Sequence, residues 1–251
     1  MNVVLPSPFH LIDLESVTST NDEALERASS NDPAWTIVRA VEQRAGRGRR
    51  GKTFASPPGN SYTSFLLRPD CVQADAPQIA LLAGLAVARA IKEVAPDLPA
   101  ARCKWPNDVL IDGHKVAGIL VEAASTGTRL DAVVVGIGVN LASHPDIDGV
   151  RISDLGTLGT VIDRDVWLIA LSAHLRALVE CWLDGGFVAV RETWLDHAAG
   201  LNSRVTHCED GRPALHGTLA GIDDVGALLI SDAAGHTHRC VSGSLVLEDV
   251  A

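Results

Sequence analysis

Residues 101–139 constrain the fold most. Strand-like text at 101–104 runs into a rigid turn, Trp105-Pro106-Asn107-Asp108, and then a short apolar strand at 109–111. Asp112-Gly113 follows, the dipeptide that most favours a two-residue hairpin because both positions tolerate positive φ. The chain returns as a strand over 115–122, and 130–139 supplies another that is nearly continuously apolar. Strands this close in sequence pair as antiparallel neighbours, since a parallel crossover needs a dozen or more residues.

The flanking text adds helices rather than βα repeats. Thr20 and Glu23 have capping-box spacing, which predicts a helix start with Ala24, Leu25 and Ala28 as its inner stripe. Strands are expected over 36–41, running on into Gln43, and over 61–67. Pro77 opens a long apolar helix that must end by Pro96. Beyond Asp165, helical spacing of Val166, Ile169, Ala170, Ala173, Ala177 and Cys181 marks a second long helix ending at Gly185-Gly186, with a shorter one over 188–198. From about Leu201 only short strands remain, over 204–208, 215–222, 227–231 and 239–247. The expectation is an α+β fold: a mostly antiparallel mixed sheet flanked by helices over 1–200, then a small β-barrel over 201–251 that needs docking to be stable.

Charge and cysteines narrow the function classes. Against 21 Lys+Arg stand 31 Asp+Glu, a net −10, which argues against general nucleic-acid binding and its many phosphate contacts. Five cysteines, widely spaced, fit neither a disulfide framework nor a C-x-x-C site. The longest uncharged apolar stretch, 79–88, is about half a bilayer span. Residues 1–6 carry no cationic leader. A cytoplasmic protein without membrane or nucleic-acid partners is expected, as monomer or weak homodimer.

Cations nevertheless concentrate locally. Residues 44–52 hold five cations and three glycines in nine positions. Such a loop is mobile when empty and closes through N–H groups and arginine forks over an anion. Taken alone it equally suits a solvated charge run or an Arg-Gly RNA-binding segment. A P-loop is excluded, because no helix-opening Lys-Ser/Thr pair follows. Other polar islands are Ser19-Thr20-Asn21, Lys104 to Asp108, Lys115 to Leu120, and Gly136 to Asn140. Singly these read as a helix cap, a turn, a hairpin lysine and a strand-end cap.

In this order the islands resemble the biotin–protein ligases, the biotin–[acetyl-CoA-carboxylase] synthetase family. Matching stretches are Ser19-Thr20-Asn21, Glu42-Gln43 with Gly46 to Gly51, Lys104 to Asp108, Lys115 to Leu120, and Gly136 to Asn140. The terminal strands, with Gly221-Ile222-Asp223 and Gly226 to Leu229, are similar to that family's SH3-like C-terminal domain. The resemblance implies a class II synthetase-like fold and a two-step ligase. Biotin is activated by Mg-ATP to biotinyl-AMP, then transferred to a lysine of a biotin carboxyl carrier protein. Biotin, ATP and Mg²⁺ are the implied substrates and metal. By motif match Ser19, Thr20, Asn21 and Gln43 surround the ureido ring, joined in the biotin set by Arg47, Gly48, Arg49, Lys115 and Gly118. Arg49, Arg50, Lys52, Phe54, Asn107, Lys115 and Asn140 form the ATP set, with Lys115, Arg47 and Arg49 as catalytic cations. Asp108 holds Mg²⁺, orients the incoming lysine, or is a plain turn residue.

This chain departs from the family at Lys52, usually Arg, and Phe54, usually Trp. Lysine loses the bidentate fork, and Phe54 either packs on adenine or anchors the loop. The Ser19 motif comes after only 18 residues, so an N-terminal winged-helix DNA-binding domain and a repressor role are not expected. The nearest rival is a lipoate or octanoate ligase or transferase, the transferases using a cysteine. Cys71 and Cys103, nearest the motifs, lie in text that reads as buried or inert. An RNA binder is disfavoured by charge and by the lack of interleaved aromatics.

Overall fold

The computed structural model describes residues 3, 5–126 and 128–248. Its elements are β1 (His10–Val17), α1 (Thr20–Ser29), β2 (Thr36–Gln43), β3 (Ser61–Leu67), α2 (Ala76–Val94), β4 (Arg102–Lys104), β5 (Asp108–Ile111), β6 (His114–Thr126), β7 (Arg129–Val139), α3 (Arg164–Gly185) and α4 (Val188–Asp196). The C-terminal strands are β8 (Arg204–Cys208), β9 (Leu215–Ile222), β10 (Leu228–Ser231), β11 (Thr237–Cys240) and β12 (Ser244–Leu247).

One sheet of seven strands runs in the order β1-β2-β3-β7-β6-β5-β4, and a second of five in the order β11-β10-β9-β8-β12. The 101–139 expectation holds: β4, β5, β6 and β7 are antiparallel neighbours. Asp112 (φ 47°) and Gly113 (φ 75°) take the conformation that the tight hairpin requires. The parallel exception is β1 on β2, joined by α1. β1 is a strand beyond those expected from sequence, although Ile12 and Leu14 alternate with charged residues there.

Alternation on β7 organises the layers. Val133, Val135, Ile137 and Val139 face the large core built on α2, with Phe65 of β3 and Ile119 of β6. On the opposite face Ala132 and Val134 pack beneath α1 with Ala24, Val38 and Leu66. Further along that second face come Gly136 and Gly138, where α1 gives way to an open cavity.

Three local expectations are corrected. The cap of α1 is Ser19 rather than Thr20: its Oγ accepts from the Asn21 amide at 3.3 Å, while Glu23 pairs with Arg27. Starting one residue earlier places Thr20 and Asn21 inside the first turn, both buried. On α3 the expected stripe holds only at Ala170, which is buried. Val166 (52% exposed) and Ile169 (44%) face outward with Ala173, Ala177 and Cys181, whereas Trp167, Leu168, Leu171, Leu175 and Leu178 fill the core. Both faces of this helix are apolar, so the smaller residues matched the period while the bulkier ones won the interior. Finally, 239–247 is two strands. Residues 241–243 turn, with Gly243 at φ 117°, and send β12 to the far edge beside β8.

Both α2, extended from Gln73, and α3 are long and apolar enough by composition to cross a membrane. Here they pack on each other and supply the core between the two sheets. That same core takes in Val205, Leu219, Leu228 and Leu245. Trp105 wedges between the units: its buried indole Nε1 donates to the Gly226 carbonyl at 3.2 Å and its ring tilts against His207.

The α3 assignment is directly testable. Leu171→Ala should cost about 2–5 kcal/mol of stability, and Ile169→Ala on the outer face should stay within about 0.5 kcal/mol. Urea midpoints decide; the reverse ranking would contradict the packing.

Candidate active site

The open end of the β6–β7 floor lies in a cavity of about 660 Å³, within the range of small-molecule sites. Each residue singled out from sequence lines it: Ser19, Thr20, Asn21, Gln43, Arg47, Gly48, Arg49, Arg50, Lys52, Phe54, Asn107, Asp108, Lys115, Gly118 and Asn140.

One end is a fixed polar cluster. Gln43 Oε1 accepts from the Thr20 amide (2.8 Å) and hydroxyl (3.1 Å), and Gln43 Nε2 donates to Ser56 Oγ at 2.8 Å. Ser64, from β3, donates to Asn21 Oδ1 at 2.6 Å and lies 2.8 Å from Thr20 Oγ1. Asn21 Nδ2 in turn donates to Glu122 Oε2 at 2.8 Å. Glycine is required below: a Cβ at Gly136 would collide with the Asn21 amide, and one at Gly138 would come within 2.6 Å of the Phe54 ring. Phe54 lies half-buried over Gly138 and Gly118, with its ring edge-to-face with Tyr62 at 6.4 Å. It is anchored on the glycine floor, not under 55–58.

Cations line the other end. Lys115 Nζ sits 2.5 Å from Asp108 Oδ1, a buried oxygen that makes no hydrogen bond, so the contact is charge on charge. Arg49 Nη1 donates to Asn107 Oδ1 at 3.1 Å and Nη2 to the Gly243 carbonyl at 3.4 Å. Burial, with Arg50 nearby, holds the Arg49 guanidinium below its ordinary range. Arg50 reaches Asp210 at 3.5 Å. Arg47 pairs with Asp22 at 2.5 Å and Glu122 at 2.9 Å. Backbone bonds close the loop on itself, Gly48 N to Lys52 O (2.7 Å) and Phe54 N to Gly46 O (2.8 Å).

Asn140 lines the cavity and also acts as the strand-end cap that its position suggests. It is buried, and Nδ2 donates to the Ser153 carbonyl at 3.0 Å, tying the end of β7 to the 151–155 segment. Its carboxamide is a brace as well as a lining group. Lys104, Tyr62, Arg151 and the β12 residues 244–247, to which the motifs assign no role, also line the cavity. The Lys104-to-Asp108 stretch was in view, but the direction of Lys104 depends on how Trp105 docks. The β12 contribution comes from a distant segment and has no local signal.

Burial pushes the Lys104 amine down, Lys115 and Lys52 push it further, and Asp108 opposes them. Cys103 is buried and its thiol is pushed up to about 12; burial also raises Cys71. Neither offers the thiolate that a covalent acyl transfer needs. Among the described residues no group of three His, Cys, Asp or Glu side chains is placed to hold a metal.

A family model described as the biotin/lipoate A/B protein ligase family matches residues 14–140, the span that carries the sheet floor and both ends of the cavity. The chain belongs to this family. It is 40% identical over 234 residues to a biotin–[acetyl-CoA-carboxylase] ligase of Paracoccus denitrificans, covering 88% of this chain and 94% of that protein. It is 33% identical over 235 residues to the bifunctional ligase/repressor BirA of Bacillus subtilis, covering 90% of this chain and 70% of that protein. A biotin protein ligase from Aquifex aeolicus, solved in complex with biotin and ATP, matches with a TM-score of 0.81 at 27% identity, over 95% of this chain and 98% of that one. The α+β fold is therefore that of the biotin ligases.

The Lys104 environment gives a prediction with a sign. A lowered pKa means its neutral amine is present at a pH where surface lysines are still protonated. Acylation by an amine reagent, mapped by mass spectrometry against pH, should find Lys104 reacting earlier than exposed lysines. Asp108→Asn removes the opposing charge and should move the onset lower still; an upward move would contradict the assignment.

Proposed function

We propose that the protein is a biotin–protein ligase, a biotin–[acetyl-CoA-carboxylase] ligase, that makes biotinyl-5′-AMP from biotin and ATP and passes the biotinyl group to a carrier-protein lysine. One observation carries the reading: a saturated amide-and-hydroxyl cluster and a set of converging cations share one cavity across a glycine floor. The cluster suits a ureido ring, whose N–H groups and carbonyl need fixed partners. A dithiolane ring offers no such groups and would gain no hydrogen bond from the cluster, so the site favours the ureido ring.

In the first step a biotin carboxylate oxygen attacks the α-phosphorus of ATP. The new P–O bond forms as the bond to the β-phosphate oxygen breaks, and pyrophosphate leaves with the electron pair. Negative charge shifts onto the phosphate oxygens, where Lys115, Arg49 and Arg47 stabilise it; their work is positioning and electrostatics. In the second step a neutral lysine amine of the carrier attacks the acyl carbon. A C–N bond forms, the C–O bond to AMP breaks, and the amine proton is lost to solvent.

Ser19, Thr20, Asn21 and Gln43 hold the ureido end, Gly118 and Gly48 let ligand approach the backbone, and Arg50, Lys52, Phe54, Asn107 and Asn140 border the nucleotide. Asp108 is the cavity-lining carboxylate that would hold a magnesium ion kept mostly by phosphate and water, sharing its charge with the Lys115 ammonium 2.5 Å from its Oδ1. When bound, that ion supplies charge neutralisation on the phosphates. The carrier partner is the lysine-bearing domain of a carboxylase.

Incubation with Mg-ATP and either biotin or lipoate, followed by mass spectrometry of the acyl-AMP, tests the reading. Biotinyl-AMP is expected, and lipoyl-AMP in its place would overturn it. Lys115→Ala should slow biotin-dependent pyrophosphate release by about 10²–10³, the cost of about 2–4 kcal/mol of lost electrostatic stabilisation. Near-normal release would remove Lys115 from its role.

A further inference from the structure

Glu122 has no part in the chemistry above, yet it joins the two ends of the site. On β6 it continues the face of Gly118 and Leu120, two residues apart each time, toward α1. Its Oε2 accepts from Asn21 Nδ2 at 2.8 Å and from Arg47 Nη2 at 2.9 Å. One oxygen thus serves a donor from the ureido cluster and a donor from the glycine loop. Asn21 cannot turn away, because Ser64 holds its Oδ1. Asp22 also pairs with Arg47, but its side chain is 46% exposed, whereas Glu122 serves the Asn21 amide and the arginine through one oxygen.

The far end of the loop is tied to the same cluster. Gln43, which accepts from Thr20, donates to Ser56 Oγ, and Ser56 Oγ donates to the Phe54 carbonyl at 2.9 Å. Gln43 thus ties Phe54, through Ser56, to Thr20, and Asn21, next to Thr20 in the same helical turn, carries the link through Glu122 to Arg47. Glu122 is the charged member, and it closes this link onto the arginine. The Arg47 and Glu122 side chains are 41% and 25% exposed, so the pair contributes little to stability. Its geometry serves placement.

We propose that Glu122 is a positioning residue for adenylation. It fixes the Arg47 guanidinium at the cavity wall in register with Asn21, so that the ureido end and the carboxylate end of the same ligand are addressed at a set separation. The assignment rests on the ligase reading, in which Arg47 faces the carboxylate and α-phosphate.

Glu122→Gln separates the two roles, since an amide oxygen still accepts from Asn21 while the anionic partner of Arg47 becomes neutral. Biotin binding by calorimetry should stay within about threefold of wild type, and kcat for biotin-dependent pyrophosphate release should fall about tenfold, as for loss of one charge-assisted hydrogen bond. Glu122→Ala removes both bonds and should also weaken biotin about tenfold. Because Glu122 acts through Arg47, adding Glu122→Gln to Arg47→Ala should cause no further loss in kcat, where independent roles would multiply. Multiplying losses, unchanged kcat in Glu122→Gln, or a Glu122→Gln defect confined to biotin affinity would each overturn the assignment. Wild-type protein is assayed alongside. Absence of biotinyl-AMP there would fail the ligase reading itself, whereas an active wild type with multiplying losses would fail Glu122 alone.

Discussion

The site depends on close approach to the β6–β7 floor. Along β7 one face is valine and isoleucine into the α2 core, and the other passes from Ala132 and Val134 under α1 to Gly136 and Gly138. Removing the side chain at those two positions leaves room for the Asn21 amide on one and the Phe54 ring on the other. A strand interior loses stability with each glycine, and the valines that face the core offset that loss. The floor is thus rigid from below and open from above, as a site needs if its polar groups are to be held by packing rather than by loops.

Above the floor, each group is held by another element. Asn21 and Thr20 come from the first turn of α1, Gln43 from the end of β2, Ser64 from β3, Glu122 and Lys115 from β6, and Asp108 from β5. The parallel β1-α1-β2 unit brings the first turn of α1 beside Gln43, and antiparallel pairing sets Ser64 opposite Gly136. The C-terminal unit takes part as well. Its Gly243 carbonyl accepts from Arg49, and Gly226 holds Trp105, which stands between Lys104 and Asn107 in sequence. Two cations of the site, Arg49 and Lys104, therefore depend on a unit whose own core is continuous with α2.

Much of this was legible because it is local. Asp112-Gly113, the proline-bounded α2 and the apolar strand text of β3, β6 and β7 each carry their signal within a few residues, and the motif residues do share one cavity. What was illegible depends on competition between distant surfaces. The period of α3 fits either face, and only the space beside α2 selects Trp167 and Leu171 over Val166 and Ile169. The cap of α1 moved from Thr20 to Ser19 because Gln43 takes the Thr20 amide and hydroxyl. Glu122 reads as the polar end of an apolar strand until Asn21 and Arg47, far apart in sequence, meet on its one oxygen.

The glycine floor is the claim on which the others stand, and calorimetric titration of biotin into Gly136→Ala measures it. A Cβ there displaces an amide locked by Ser64 and Glu122, and a buried polar group left without its partner costs about 1–3 kcal/mol, about 5- to 150-fold in affinity. The account predicts a folded variant whose biotin affinity falls by a factor in that range. A folded Gly136→Ala protein that binds biotin as tightly as wild type would contradict it.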